Sequence, residues 1–177
     1  MHESLNFEFQ PTLTGKRITL RPLRAEDFEA VYAAASDPLL WALHPEPTRY
    51  QREVFEQNFF AGALASNSAF VITDNATGRV IGSSRYYEWS PAEQAVAIGF
   101  TFLTRDCWGG SVNGELKQLM LSHAFRWARV VWFHIGTSNL RSRKAMEKIG
   151  GRFSHEEIKV MNGVEYPHAY YRIDAPH

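Results

Sequence analysis

Two passages from strand-type to helix-type sequence follow one another in this chain, and together they constrain the fold. In the first, the β-type run Ala95 to Leu103 feeds RDCWGGSVNGELKQLM, Arg105 to Met120. Leu116, Leu119, Met120, His123, Ala124 and Trp127 then recur at i, i+3, i+4, i+7, i+8 and i+11, a helical stripe with one apolar face. In the second, the apolar run Val130 to Ile135 (VVWFHI) suits a buried strand. Leu140 to Ile149 follows as a helix that Gly150-Gly151 can close. Such a run buries its apolar faces around a shared sheet.

The remaining segments extend that sheet. Arg17 to Leu23 alternates as a strand, and Ala25 to Ala35 is a short helix stopped at Asp37-Pro38. Thr48 with Gln51 has the spacing of a capping box ahead of Val54, Phe55 and Phe59. Ala69 to Thr73 and Val80 to Glu88 are strands around the turn DNATG. Phe153 to Met161 and Val164 to Ile173 flank Asn162-Gly163, a strong hairpin signal. The order β-α-α-β-β-β-α-β-α-β-β predicts a mixed α/β (α+β) domain with about seven strands.

A length of 177 residues predicts one domain, 1–177. Lys+Arg and Asp+Glu number 19 each, so nothing in the overall charge favours nucleic acid or an anionic membrane. Cys107 stands alone, which excludes an intrachain disulfide and predicts a reducing, cytoplasmic setting. Met1 to Gln10 is polar and acidic, unlike a secretory signal, and no apolar run is long enough to span a bilayer. The seven histidines show no metal-ligand spacing, so no metal site is expected.

A strand, a glycine-rich turn and a helix N-terminus can together make an anion site. The first N–H groups of a helix lack intrahelical partners, and its dipole favours negative charge there. Trp108, Gly109, Gly110, Ser111, Val112 and Asn113 are thus a candidate phosphate cradle, with Ser111 also able to cap the helix. A tight structural turn accounts for the same glycines. The stretch is not a Walker loop, because no Gly-Lys-Ser/Thr follows, and the third glycine of the dinucleotide fingerprint is missing.

The two passages together resemble motifs of the GNAT (Gcn5-related) N-acetyltransferase superfamily, and most of all its ribosomal-protein-alanine N-acetyltransferase-like branch. The family's Gln/Arg-x-x-Gly-x-Gly/Ala loop is met by Trp108 at its first position, Ser111 in place of the glycine and Asn113 at Gly/Ala. Its Asn-x-x-Ser/Ala, helix, Lys-x-Gly motif is met by Asn139, Ser142, Lys148 and Gly150. The resemblance implies a single GNAT-like domain with a splayed strand pair. It implies acetyl-CoA bound along Phe100, Thr101, Phe102 and Leu103, with the pyrophosphate on residues 108–113. Backbone N–H groups near Phe100 to Phe102 would stabilise the oxyanion. Asn139 would orient the pantetheine arm or cap its helix, and Arg141, Arg143 and Lys144 would meet the 3′-phosphate, with a solvated helix face as the competing reading for at least one of them.

The family's frequent catalytic residues are missing from two positions. Met146 stands where many members have an acidic tyrosine, so Ser142 is the candidate general acid, with helix capping as its competing role. Ala97 stands where a glutamate base is frequent, which leaves Glu88, His134 and His168 as candidates. His134 and His123 read equally as core histidines, Glu88 as a solvated strand end and Cys107 as packing. The implied activity is acetyl transfer to a primary amine, with a protein or peptide N-terminus among the acceptors. A catalytically silent acyl-CoA-binding module is the alternative, and an ATP- or NAD-binding protein is a third. The resemblance leaves a homodimer open.

Overall fold

A computed structural model describes residues 6–161 and 163–176. Its elements, in chain order, are β1 (Leu13–Thr14), β2 (Ile18–Pro22), α1 (Phe28–Ala35), α2 (Arg52–Phe55), α3 (Ala61–Ser66), β3 (Ala69–Asp74) and β4 (Val80–Ser90). There follow β5 (Ala95–Leu103), α4 (Val112–Ala124), β6 (Val130–Gly136), α5 (Leu140–Lys148), β7 (Arg152–Met161) and β8 (Val164–Asp174). The strands form one mixed sheet in the order β1-β2-β3-β4-β5-β6-β8-β7. Among the described strands only β5 and β6 pair in parallel. Among the described residues no helix is long and apolar enough to cross a membrane.

The sheet is covered on both faces, which is why β3 reads as a continuous apolar run. Phe70 and Ile72 face a cluster that includes Leu116, Met120 and Ala124 of α4. Ala69 and Val71 face the other cluster, with Val31 of α1, Phe55 of α2 and Ala63 of α3. Glu115 pins α4 to the sheet by accepting the backbone N–H groups of Arg17 and Ile18 at 2.8 and 3.0 Å. His123, the core histidine of the helical stripe, is buried and bonded through Nε2 to the Glu8 carbonyl oxygen.

Three local features differ from the sequence reading. The sheet has eight strands because β1, two residues long, pairs with β2. A pairing that short leaves no alternation to read. The Thr48–Gln51 capping box does not form. Residues 48–51 lie outside the helix, which starts at Arg52 with no side-chain bond from Gln51. The five residues Glu56–Phe60 between α2 and α3 are wound as a π-helix that buries Phe59 and Phe60 side by side. In the terminal hairpin, Asn162 lies outside the described residues, and Gly163 has φ 77°.

The feature that makes a site is the parting of β5 from β6. Their register runs from Ala95↔Val130 to Ala97↔Trp132 and stops. Beyond it, residues 98–103 lack a strand partner on that edge. On the other edge, β4 advances from Arg85 to Ser83 while β5 advances from Gly99 to Phe102, a bulge. Phe100 within it has φ 51°, which is unusual for a bulky residue. Gly82 allows the approach of the two strands, because a Cβ there would lie 2.1 Å from the Phe102 carbonyl oxygen.

Candidate active site

A cavity of roughly 270 Å³ opens where the strands part. Its floor is Ile98 to Leu103 of β5 and Phe133 to Gly136 of β6, and α4 and α5 close it at their N-terminal ends. Ten of the residues that sequence assigns to acetyl-CoA line it: Phe100, Thr101, Phe102, Leu103, Trp108, Gly109, Asn113, Asn139, Arg141 and Ser142. Gly110, Ser111, Val112, Arg143 and Lys144 do not.

The turn into α4 is built from sequence outward. Arg105–Cys107 forms a 3-10 turn, and the Trp108 indole N–H donates to the Leu103 carbonyl at 3.0 Å. Gly109 has φ 75°, a conformation that suits glycine, whereas Gly110 has an ordinary φ and open space around it. The first intrahelical bond runs from Glu115 N–H to the Ser111 carbonyl, and Ser111 makes no side-chain cap. Its hydroxyl therefore does not fill the capping role read in sequence. The N–H groups of Val112, Asn113 and Gly114 have no acceptor among the described residues. The Val112 side chain packs on the core, so only its N–H is available to a ligand.

The turn into α5 is different. Asn139 is 6% exposed, and its side-chain oxygen accepts the Ser142 N–H at 3.3 Å. Asn139 is thus the cap. The Ser142 hydroxyl has no partner among the described residues. Arg141 lays its guanidinium 3.6 Å from the centre of the Trp108 ring and so ties the two turns together. Arg143 instead donates to the Tyr171 hydroxyl and the Thr137 carbonyl, at 3.0 and 2.9 Å, and Lys144 is exposed. Of the three cations at this helix start, only Arg141 reaches the cavity.

The remaining titratable lining was only partly foreseen. His44, His134 and His168 come from three distant segments and converge on the cavity. Burial pushes His44 and His134 down to about 3, helped by cationic neighbours Arg49 and Lys159 respectively, and pushes His168 down as well. All three are neutral at pH 7. His44 Nδ1 accepts the Glu46 N–H, and His134 Nδ1 accepts from Lys159 Nζ at 2.8 Å. His168 Nδ1 donates to the Tyr166 carbonyl at 3.0 Å, which leaves Nε2 as a lone-pair acceptor with no partner among the described residues. Glu88 is exposed and Met146 is buried against the cavity, so neither supplies an acid or base there. Cys107 also lines the cavity, with its sulfur 3.5 Å from Thr104 Oγ1.

Sequence reasoning missed Lys117. It is 6% exposed on the inner face of α4, and its ammonium lies 3.4 Å from Thr101 Oγ1 and 5.9 Å from the centre of the Phe133 ring. Thr101 Oγ1 is in turn 2.8 Å from Ser84 Oγ. Among the described residues no carboxylate pairs with Lys117, and burial lowers its pKa to about 8. The signal was present in the sequence, because position 117 is three residues before Met120 and seven before Ala124, on the apolar stripe itself.

A parted parallel strand pair, an uncapped helix N-terminus and a cavity between them make a site suited to an extended ligand with an anionic group. Residues 17–152 match the acetyltransferase (GNAT) domain family, and the chain belongs to that family. No curated protein sequence matches it. Solved structures with the same fold include a GCN5-related N-acetyltransferase from Brucella melitensis (TM-score 0.84, 22% identity, 96% of this chain and 80% of that one). A second is the microcin C7 self-immunity acetyltransferase MccE, in complex with acetyl-CoA and AMP (TM-score 0.76, 13% identity, 96% and 100%). A third is a protein from Vibrio cholerae assigned as a ribosomal-protein-serine acetyltransferase (TM-score 0.76, 12% identity, 94% and 99%). The chain therefore carries an acetyltransferase domain.

Proposed function

We propose that the chain transfers acetyl directly from acetyl-CoA to a primary amine, and that the acceptor is a protein or peptide N-terminus. What carries this reading is the convergence on one cavity of an unpaired strand edge, an uncapped helix N-terminus and an unpartnered serine hydroxyl. Pantetheine amides pair with residues 98–103 as an added strand would. The pyrophosphate rests on the N–H groups of 112–114 beside Trp108, Gly109, Gly110 and Ser111, with Arg141 as the cation in reach. Arg143 and Lys144 stay outside that set, since the Arg143 guanidinium is held by the Tyr171 hydroxyl and the Thr137 carbonyl and Lys144 is exposed.

For the chemistry, backbone N–H groups of the bulge at Phe100 to Phe102 meet the developing oxyanion. His168 is the group that takes the amine proton, because its tautomer is fixed and Nε2 is open. Ser142 offers its hydroxyl to the departing sulfur. Since an alcohol is a far weaker acid than a thiol, this is a hydrogen bond rather than a full proton transfer. The family resemblance to ribosomal-protein acetyltransferases favours an N-terminal amine, and the single thiol favours a cytoplasmic setting.

Calorimetry with acetyl-CoA, followed by thiol release across peptides, polyamines and amino acids, tests the reading. Release with free-N-terminal peptides and none with N-blocked peptides is expected. Binding without release from any amine would leave a silent acyl-CoA module, and binding of ATP or NAD in place of acetyl-CoA would discard the cofactor. Ser142→Ala should lower kcat about 10- to 100-fold, the size of one hydrogen bond to a charged atom, with KM for acetyl-CoA unchanged. His168→Asn should remove the acid limb of the kcat profile, which burial of the imidazole moves below the ordinary histidine range.

A further inference from the structure

We propose that the ammonium of Lys117, held between Thr101 and Phe133 where β5 and β6 part, is the catalytic acid that protonates the departing CoA thiolate. The inference rests on the reading that acetyl-CoA lies between these strands. Its starting point is an anomaly of burial. A lysine 94% withdrawn from solvent ordinarily has a carboxylate beside it, and among the described residues this one has only a threonine hydroxyl and the face of an aromatic ring. A protein keeps such a group at a cost in stability, and the compensation belongs to a ligand that brings negative charge.

Position narrows the ligand. Thr101 lies on the bulged part of β5, whose unpaired edge receives the pantetheine arm, and Phe133 is the first residue of β6 beyond its pairing with β5. Lys117 lines the cavity, and its helical side chain leans toward the N-terminus of α4. The other titratable groups on the cavity are Cys107 before α4, His134 on β6, Arg141 on α5, His168 on β8, and His44 with Arg49 on the loop before α2. None of them is a carboxylate. The negative charge that forms here during the reaction is the oxyanion and then the thiolate.

The step balances without a further reagent. The amine nitrogen's lone pair forms the C–N bond while its proton passes to His168 Nε2. The oxyanion reforms the carbonyl and the C–S bond breaks, with its electron pair going to sulfur. Sulfur takes one proton from Lys117 Nζ. When the products leave, the neutral amine of Lys117 regains a proton from solvent and His168 releases to solvent the one it took. A buried ammonium lowered to about 8 is close in acidity to a thiol, of ordinary pKa about 8.5, which is the match an acid catalyst needs.

The test begins with CoA alone and needs no acceptor. The ultraviolet absorbance of the bound thiolate is titrated with pH, with desulfo-CoA as the blank to cancel Cys107. In the parent the CoA thiol should titrate at least about one pH unit below its value in Lys117→Met, because a cation within a few ångströms favours the thiolate. Equal midpoints overturn the proposal. Turnover then separates proton from charge: Lys117→Met should lower kcat about 10²- to 10⁴-fold with KM for acetyl-CoA unchanged. Lys117→Arg, which keeps the charge but holds its proton too tightly, should depress the thiol pKa without restoring kcat. Recovery of kcat in Lys117→Arg, or a rise in KM alone, moves Lys117 to cofactor binding and overturns the acid. Lys117→Met should melt at or above the parent temperature, since it replaces a buried charge with an apolar side chain, so misfolding does not explain a loss. Failure of the parent to bind CoA sinks the underlying reading; binding with equal midpoints sinks Lys117 alone.

Discussion

The starts of α4 and α5 are made from similar material and finished differently. Each follows a strand of the parted pair through a short turn, and each opens on the same cavity. At α5 the chain closes its own helix, with Asn139 accepting the Ser142 N–H. At α4 it does not, because Ser111 leaves the first turn uncapped and Gly109 bends the loop clear of it. A missing cap forgoes about 0.5–2 kcal/mol of helix stability. The difference separates two uses of a helix N-terminus. The open one offers backbone N–H groups to an anion, and the closed one holds a side chain, Ser142, in a fixed place.

Closing the open end should produce the largest effect. Ser111→Asp supplies the missing cap and puts a carboxylate where the pyrophosphate would rest. The apo protein should gain about 0.5–2 kcal/mol of stability. Affinity for acetyl-CoA should fall by about 100-fold or more, because like charges brought together cost several kcal/mol. Thermal melting and calorimetry on the same sample check both halves. A variant that is more stable and binds as well as the parent would show that α4's N-terminus is not the anion site.

Bending the loop the wrong way comes next. Gly109→Ala places a Cβ at φ 75° with free space around it, so strain rather than collision sets the cost. That strain is about 1–2 kcal/mol, and relief by straightening the loop should weaken acetyl-CoA about tenfold. Gly110→Ala is the control, since Gly110 has an ordinary φ and nothing within 4 Å of its Cβ position. Equal affinities for the two variants would remove the distinction between the glycines.

Sequence made the two passages legible because each changes from strand run to helical period within a few residues. The apolar stripe of α4 and the buried run of β6 are local patterns, and local patterns survive in a linear reading. The eighth strand did not survive, since Leu13–Thr14 is too short to alternate. Nor did the histidine cluster, because His44, His134 and His168 meet only through tertiary packing. The cations of α5 show the same limit. Arg141, Arg143 and Lys144 are adjacent in sequence, and helical rotation sends one to Trp108, one to Tyr171 and one to solvent. Lys117 was legible in its spacing, as a charge on an apolar face, and its meaning needed the cavity on the other side.

Opening the closed end should be milder than closing the open one. Asn139→Ala removes the cap of α5 at a cost of about 1 kcal/mol. For a chain of this length that lowers the melting temperature by about 2–4 °C. The Ser142 N–H then loses its anchor, and kcat should fall with it while acetyl-CoA affinity changes less than in Ser111→Asp. Asn139→Asp keeps an acceptor oxygen and should recover the melting temperature. If affinity falls as far as in Ser111→Asp, both helix starts bind the anion and the contrast between them fails.

The smallest effect belongs to Lys144, and it tests whether charge near a helix start is enough to make it a phosphate site. Lys144 is exposed, has no ion-pair partner among the described residues and does not line the cavity. A charge in that position is screened within about 8–10 Å at ordinary salt. Lys144→Ala should therefore leave stability within about 0.5 kcal/mol and acetyl-CoA affinity within about twofold. Arg141→Ala should differ, because its guanidinium stacks on Trp108, the residue that anchors the turn into α4 through the Leu103 carbonyl. Its loss removes both a cation at the cavity mouth and the packing that holds Trp108, so affinity should fall about three- to tenfold, the value of one exposed to partly desolvated cation–π contact. Binding isotherms at low and high salt distinguish the two variants. Equal losses that vanish together at high salt would mean that the whole basic face of α5 attracts the phosphates, and that the open start of α4 needs help from its closed neighbour.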